Sequence, residues 1–212
     1  MKRIAAAWLA ALLLSVALPV AAAQFTEGKD YTRLDTPHAT TVPSDKVELR
    51  EFFSYGCPHC FHFRPLLHDY MAKASDRAAL VRVPVTFGRE SWALLAKAYY
   101  AADALGVIDK VHEAIFNAIH VDHRDVSSAD KLGDVAAAQG VDKDKFVSAM
   151  SSFAVDMKMR RARDEVKSYG VRSTPTVVVA GRFLVSPRTA GSQERMIQII
   201  DYLVKQQSPD KE

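Results

Sequence analysis

Between Lys46 and Gly88 the sequence reads strand, helix, strand, and that order limits the fold more than any other feature of the chain. In "KVELREFFSYG", 46–56, Val47, Leu49 and Glu51 alternate with Glu48 and Arg50 before the run turns apolar at Phe52 and Phe53. A period of two marks a strand. From Cys57 a helical spacing runs through Phe61, Leu67 and Tyr70 to about Ala74, and "LVRVPVTFG", 80–88, reads as a second strand. Strands joined through a helix pair in parallel with a crossover, so the expected class is α/β.

The rest of the chain fits around that unit. Residues 24–46 are polar, with two prolines, and read as an extended arm. A long alanine-rich stretch follows the second strand. Ser91 can cap "WALLAKAYYAADAL" ahead of Gly106, Ser127 or Ser128 can cap "ADKLGDVAAAQ", and Asp142 can start another helix. Residues 90–168 are therefore expected to form an inserted helical domain, with 24–89 and 169–212 making up the parent domain. "TPTVVVAGRFLV", 174–185, reads as two strands about a turn near Ala180 and Gly181, although that dipeptide is a weak turn signal. After a possible cap at Ser192, Met196, Ile199, Ile200, Leu203 and Val204 fall at the spacing of an amphipathic helix that covers a sheet.

At the N-terminus, Lys2 and Arg3 precede an apolar run from Ile4 to Leu18, and Ala21, Ala22 and Ala23 follow Pro19. This is the order of a secretory signal peptide over 1–23, cleaved after Ala23, with an uncleaved anchor as the rival reading. Export from the cytoplasm is expected. Roughly 190 residues then remain, enough for one domain carrying an insertion. The formal charge of +3 falls to about +1 without Lys2 and Arg3. Such a balance calls for neither nucleic acid nor an anionic membrane surface as partner. No Gly-rich phosphate loop, nucleophilic serine arrangement or pair of sugar-cleaving acids stands out, and no cofactor is expected.

Both cysteines of the chain lie in "SYGCPHCFH", 54–62. Residues three apart close a loop too small to constrain much unfolded-chain entropy, which makes Cys57 and Cys60 a poor structural staple. A zinc site could recruit His59 and His62 as well, but no second, separated pair completes it. The favoured reading is a reagent. At a helix start several N–H groups lack partners and the macrodipole is positive, so the thiolate of Cys57 gains over its thiol. Pro58 suits the first helical position. Cys60, one turn on, should sit deeper, leaving Cys57 to attack and Cys60 to resolve. His59 can add a hydrogen bond or a charge beside the thiolate. One pKa unit is about 1.36 kcal/mol and ~30 mV in a two-electron couple is about the same, so each unit of lowering below ambient pH makes the pair about 30 mV more oxidising.

"EFFSYGCPHC", the arm "EGKDYTRLDTP", the helical insertion and "TPT" before a strand together resemble the DsbA family of the thioredoxin superfamily, over essentially the whole chain after residue 23. The resemblance implies a thioredoxin-like fold with an inserted helical domain, a very low nucleophile pKa and an oxidising potential. By position it makes Cys57 the nucleophile, Cys60 its partner and His59 the residue that tunes the thiolate. Glu51 becomes a buried acid that handles protons near the deeper thiol, against the alternative of a strand-end carboxylate in water. Pro175 becomes a cis-proline facing the cysteines, with Thr174, where many members carry Val, offering its backbone to an extended client. Pro65 resembles the kinking proline of thioredoxin's active-site helix.

The function so implied is a monomeric periplasmic thiol:disulfide oxidoreductase. It would donate the Cys57–Cys60 disulfide to newly exported proteins through a mixed disulfide at Cys57, and a DsbB-like, quinone-linked membrane oxidase would reoxidise it. An exported reductase or isomerase, or a noncatalytic holdase, is the alternative. Elsewhere "HVDHRD", 120–125, is expected as a solvated loop rather than a metal site, and "MKMRRARD", 157–164, as an exposed charged helix face. One of Phe61 and Phe63 should pack the helix onto the sheet.

Overall fold

The polar arm is partly a strand. In the computed structural model, which describes residues 25–208, β1 (Thr32–Arg33) pairs antiparallel with β5 (Phe183–Val185), placing Arg33 opposite Phe183. Phe25 and Tyr31 anchor it through edge-on ring contacts with Tyr202 and Phe183 at 5.4 and 5.6 Å. The expected signal peptide, 1–23, lies outside the described residues. So does the last part of the tail, 209–212.

β2 (Val47–Phe53), α1 (Pro58–Ala74) and β3 (Ala78–Pro84) form the strand–helix–strand unit, with β2 and β3 parallel and Glu51 beside Arg82. β3 starts and ends earlier than its apolar run suggested. All seven residues of β2 are buried, including its charged ones, because both faces of the strand are covered. On one face, Arg50 reaches Glu48 at 2.9 Å and Glu165 at 2.8 Å. Thr41 of the arm also donates to Glu48, through its N–H at 2.6 Å.

Helices α2 (Glu90–Ala104), α3 (Ile108–His120), α4 (Ala129–Ala137), α5 (Lys143–Met150) and α6 (Phe153–Ser168) fill the stretch between β3 and β4 (Thr176–Val179). Ser128, Asp142 and Ser152 cap α4, α5 and α6, each accepting from a backbone N–H one turn on. Ser91 does not cap α2. That helix begins two residues earlier, behind Arg89, which offers no capping side chain.

The sheet order is β1-β5-β4-β2-β3, with β4 antiparallel to both neighbours. Between β4 and β5 the chain turns at Ala180 and Gly181, both at positive φ (52° and 64°). A Cβ at Gly181 would lie 2.1 Å from the His38 carbonyl oxygen, so this close approach of the arm requires glycine. A one-turn helix α7 (Pro187–Ala190), closed by a Ser186–Thr189 capping box, precedes α8 (Gln193–Gln207). The five apolar residues of α8 named above are fully buried against the sheet, each contributing about 1.5–3 kcal/mol.

Arg50 joins a sheet strand to helix α6. Breaking a buried pair leaves an uncompensated charge, so Arg50→Met is expected to lower stability by about 3–5 kcal/mol. Lys145→Met, which removes an exposed pair with Asp142, should cost under about 1 kcal/mol. Urea unfolding midpoints distinguish the two.

Candidate active site

Burial of one helical stripe decides which sulfur is accessible. Cys60, Phe63, Leu67, Tyr70 and Ala74 follow each other at three- and four-residue steps and form the buried face of α1. Cys60 heads that stripe and is fully buried. Cys57 is the more accessible of the two at 6% exposure. Phe63 packs into the core, whereas Phe61 stacks on His120 with ring centroids 4.9 Å apart. Helix α1 continues unbroken through Pro65.

Cys57 is the N-cap residue, one position before the helix proper. Its φ is extended and Pro58 takes the first turn. Its N–H donates to the Ser54 carbonyl at 3.1 Å, and its own carbonyl accepts from the N–H groups of Cys60 and Phe61 at 3.0 and 3.1 Å. Both cysteines are free thiols. The Cys57 pKa falls from 9.0 to about 5, chiefly because the Cys60 thiol donates to its sulfur. Burial opposes the fall, while the Thr174 side chain and the N–H groups of Cys60 and His59 assist it. Cys60 moves the other way, pushed well above 9 first by burial and then by its donation to Cys57. The two sulfurs therefore share one proton, held by the deeper one.

Thr174 contacts Cys57 in either protonation state. When the sulfur carries a proton it donates to the Thr174 carbonyl at 3.6 Å, and when ionised it accepts from the threonine side chain. The Thr174–Pro175 bond is cis, as the family resemblance implies. Pro175 is buried and Thr174 half-buried. His59 is exposed, and what it brings to the sulfur is its backbone N–H rather than its imidazole. Its carbonyl accepts from Gln193 Nε2 at 2.7 Å, tying the active-site turn to α8.

Glu51 is a buried acid, 4% exposed, and not a strand-end carboxylate in water. It pairs with Arg82 at 3.1 Å. Burial raises its pKa, Arg82 opposes the rise, and its charge adds to the upward push on Cys60.

Sequence reasoning missed the clamp behind this turn. Tyr55 donates its hydroxyl to His112 Nδ1 at 2.9 Å, and His120 Nε2 donates to the Tyr55 carbonyl at 2.7 Å. Burial lowers the His112 pKa to about 3, leaving a neutral ring free to accept. His112, Phe116 and His120 lie four residues apart on α3, a stripe that was available as a signal. His120 is thus the last residue of α3 with a defined partner, and only the residues after it form the exposed loop. The charged stretch 157–164 lies on α6, where Met157 is exposed and Met159 and Ala162 are buried. No cluster of three or more metal-ligating side chains occurs among the described residues.

Residues 48–196 match the model of the DSBA-like thioredoxin domain. The chain belongs to the DsbA family. It is 38% identical to the thiol:disulfide interchange protein DsbA of Burkholderia cepacia over 203 residues, covering 93% of this chain and 95% of that one. It also superimposes on the crystal structure of Pseudomonas aeruginosa DsbA with a TM-score of 0.79 at 35% identity, covering 86% of this chain and 94% of that chain. A Proteus mirabilis DsbA, solved with a non-covalently bound peptide, matches with a TM-score of 0.70 at 25% identity, over 88% of this chain and all of that one. Like these DsbA proteins, the chain has a thioredoxin-like fold.

Alkylation of reduced Cys57 by iodoacetamide should follow a single titration near pH 5 and level off above about pH 6, where an ordinary thiol stays mostly protonated until about pH 8.5. Thr174→Val, which deletes the side-chain donor, should move that midpoint upward. An unshifted midpoint would remove Thr174 from the account.

Proposed function

We infer that this DsbA-family thiol:disulfide oxidoreductase is a donor of disulfides to exported proteins, with Cys57 as the sulfur that exchanges. The observation behind the assignment is the lopsided pair: a thiolate favoured at Cys57 and a proton held at Cys60. In the oxidised protein a client thiolate attacks Cys57, the Cys57–Cys60 bond breaks, and Cys60 leaves with the electron pair and takes up a proton. A second client thiolate then attacks the client sulfur of the mixed disulfide. Cys57 departs as the stabilised thiolate. The client loses two electrons and two protons; the protein gains both electrons and keeps one proton, and the other goes to solvent.

Glu51 is the group that hands a proton to Cys60, a role its buried site and raised pKa support. Pro58 starts the helix, and His59 acts on the nucleophile from between the two sulfurs. The client's extended backbone docks on Thr174 and Pro175, beside the attacked sulfur. A Proteus mirabilis relative holds a non-covalently bound peptide, which supports a peptide as the kind of client. A quinone-linked membrane oxidase of the DsbB type would remake the disulfide. The work is done in the periplasm after cleavage at Ala23, by a monomer.

Cys57→Ser should abolish oxidation of a reduced client peptide, and Cys60→Ala should accumulate mixed disulfides that run as a higher band on non-reducing gels. Turnover by the Cys57 variant would contradict the assignment. Glu51→Gln should slow each turnover without shifting the Cys57 alkylation midpoint, since the acid acts at the other sulfur.

A further inference from the structure

We propose that the cleft between the β3–α2 loop and helix α6 is a binding site for small amphipathic anions, with an apolar body and one carboxylate. It is separate from the thiol chemistry. The cleft has a volume of about 450 Å³ and neither cysteine nor Thr174 lines it. That size falls within the roughly 300–1,000 Å³ typical of small-molecule sites.

Its floor is apolar. Val85 comes from the end of β3, Ala93 from α2, and Met159, Ala162 and Val166 from α6. Val85, Met159 and Ala162 are themselves buried, so the floor is part of the core and not a loose surface patch. Phe87, held at a positive φ of 44° and 38% exposed, stands at the edge as an aromatic wall. A polar or highly charged ligand would leave these surfaces uncovered.

The rim carries charge of one sign. Arg89, Arg163 and Lys167 line it against a single acid, Glu90. All three cations are exposed, and none makes an ion pair with a described residue. Elsewhere on the molecule, cations of the same kind do find carboxylates, as Lys143 does with both Asp130 and Asp134. A neutral apolar ligand would leave the rim's excess charge unanswered, whereas a carboxylate accepts charge-assisted hydrogen bonds from it. The combination of apolar floor and cationic rim selects the amphiphile.

A built-in reporter lies against two of the lining residues. Phe87 packs near Trp92 with ring centroids 6.1 Å apart, and the Arg89 guanidinium lies 4.6 Å from the same ring. The chain's other tryptophan, Trp8, is in the N-terminal apolar run.

Titration of the reduced protein with phenylbutyrate, followed by Trp92 fluorescence, tests the proposal. Saturable quenching or shift is expected, absent from a Trp92→Phe control. The uncharged phenylbutyramide should bind about tenfold more weakly, a difference of about 1.4 kcal/mol. In an Arg163→Ala/Lys167→Ala double variant the carboxylate should lose about the same factor while the amide is unaffected. Client oxidation by that variant should match the parent protein. Equal affinity for acid and amide, an unchanged carboxylate affinity in the double variant, or no saturable signal by fluorescence and calorimetry alike would each overturn the proposal.

Discussion

The thiol of Cys60 donates to the sulfur of Cys57, and the rest of the active site serves that bond. It requires two sulfurs within reach but in unequal surroundings, one able to hold a negative charge and the other unable to lose its proton. The Cys60 thiol, the Thr174 side chain and the N–H groups of Cys60 and His59 favour the charge at Cys57, and complete burial, the bond to Cys57 and the nearby Glu51 carboxylate disfavour it at Cys60. The asymmetry has a thermodynamic consequence. Each unit by which the fold lowers the Cys57 pKa below the ambient pH stabilises the dithiol protein by about 1.36 kcal/mol, and a stable dithiol is what gives a disulfide its oxidising power.

Unequal surroundings at sulfurs three residues apart demand a rigid frame. The apolar stripe of α1 fixes the helix rotation, and with it which cysteine faces inward. Gln193 from α8 holds the His59 carbonyl on one side, and α3 holds Tyr55 on the other through His112 and His120. Helix α3, from the stretch between β3 and β4, therefore braces the candidate active site. Gly56 completes the frame, since a Cβ there would lie 2.8 Å from Trp92 Nε1 and would force that indole to shift.

Much of this was legible in the sequence, for physical reasons. The strand–helix–strand unit shows because a period of two gives way to a helical period at Cys57, and α8 shows because its five buried residues keep strict helical spacing. Pro58 and the cysteine pair announce a helix start with reactive sulfurs. Contacts between segments far apart in the chain stayed hidden. Nothing in "VELREFF" tells that Arg50 meets Glu165 from a distant helix, nor that Glu51 is covered. The arm's strand is only two residues long and exists because β5 supplies its partner. Ala180–Gly181 looked like a weak turn because the need for glycine comes from His38 pressing on it, not from the turn's own residues. His59 drew attention by its place between the sulfurs, yet its imidazole points to solvent while its backbone does the stabilising.

The central claim, that the fold stabilises a thiolate at Cys57, is tested most directly by the unfolding free energies of the dithiol and disulfide forms across pH. The Cys57 pKa is depressed on folding, from 9.0 to about 5, so its stabilisation is full above the unfolded value and is lost as pH falls through the folded one. Cys60, shifted upward, stays protonated in both states across the pH range of the test and contributes nothing there. The dithiol form should be the more stable at pH 7, and its advantage should shrink by about 1.4 kcal/mol per unit from there toward pH 5, where the curve flattens. A disulfide form that is the more stable at pH 7, or a difference that does not vary between pH 7 and 5, would contradict the account.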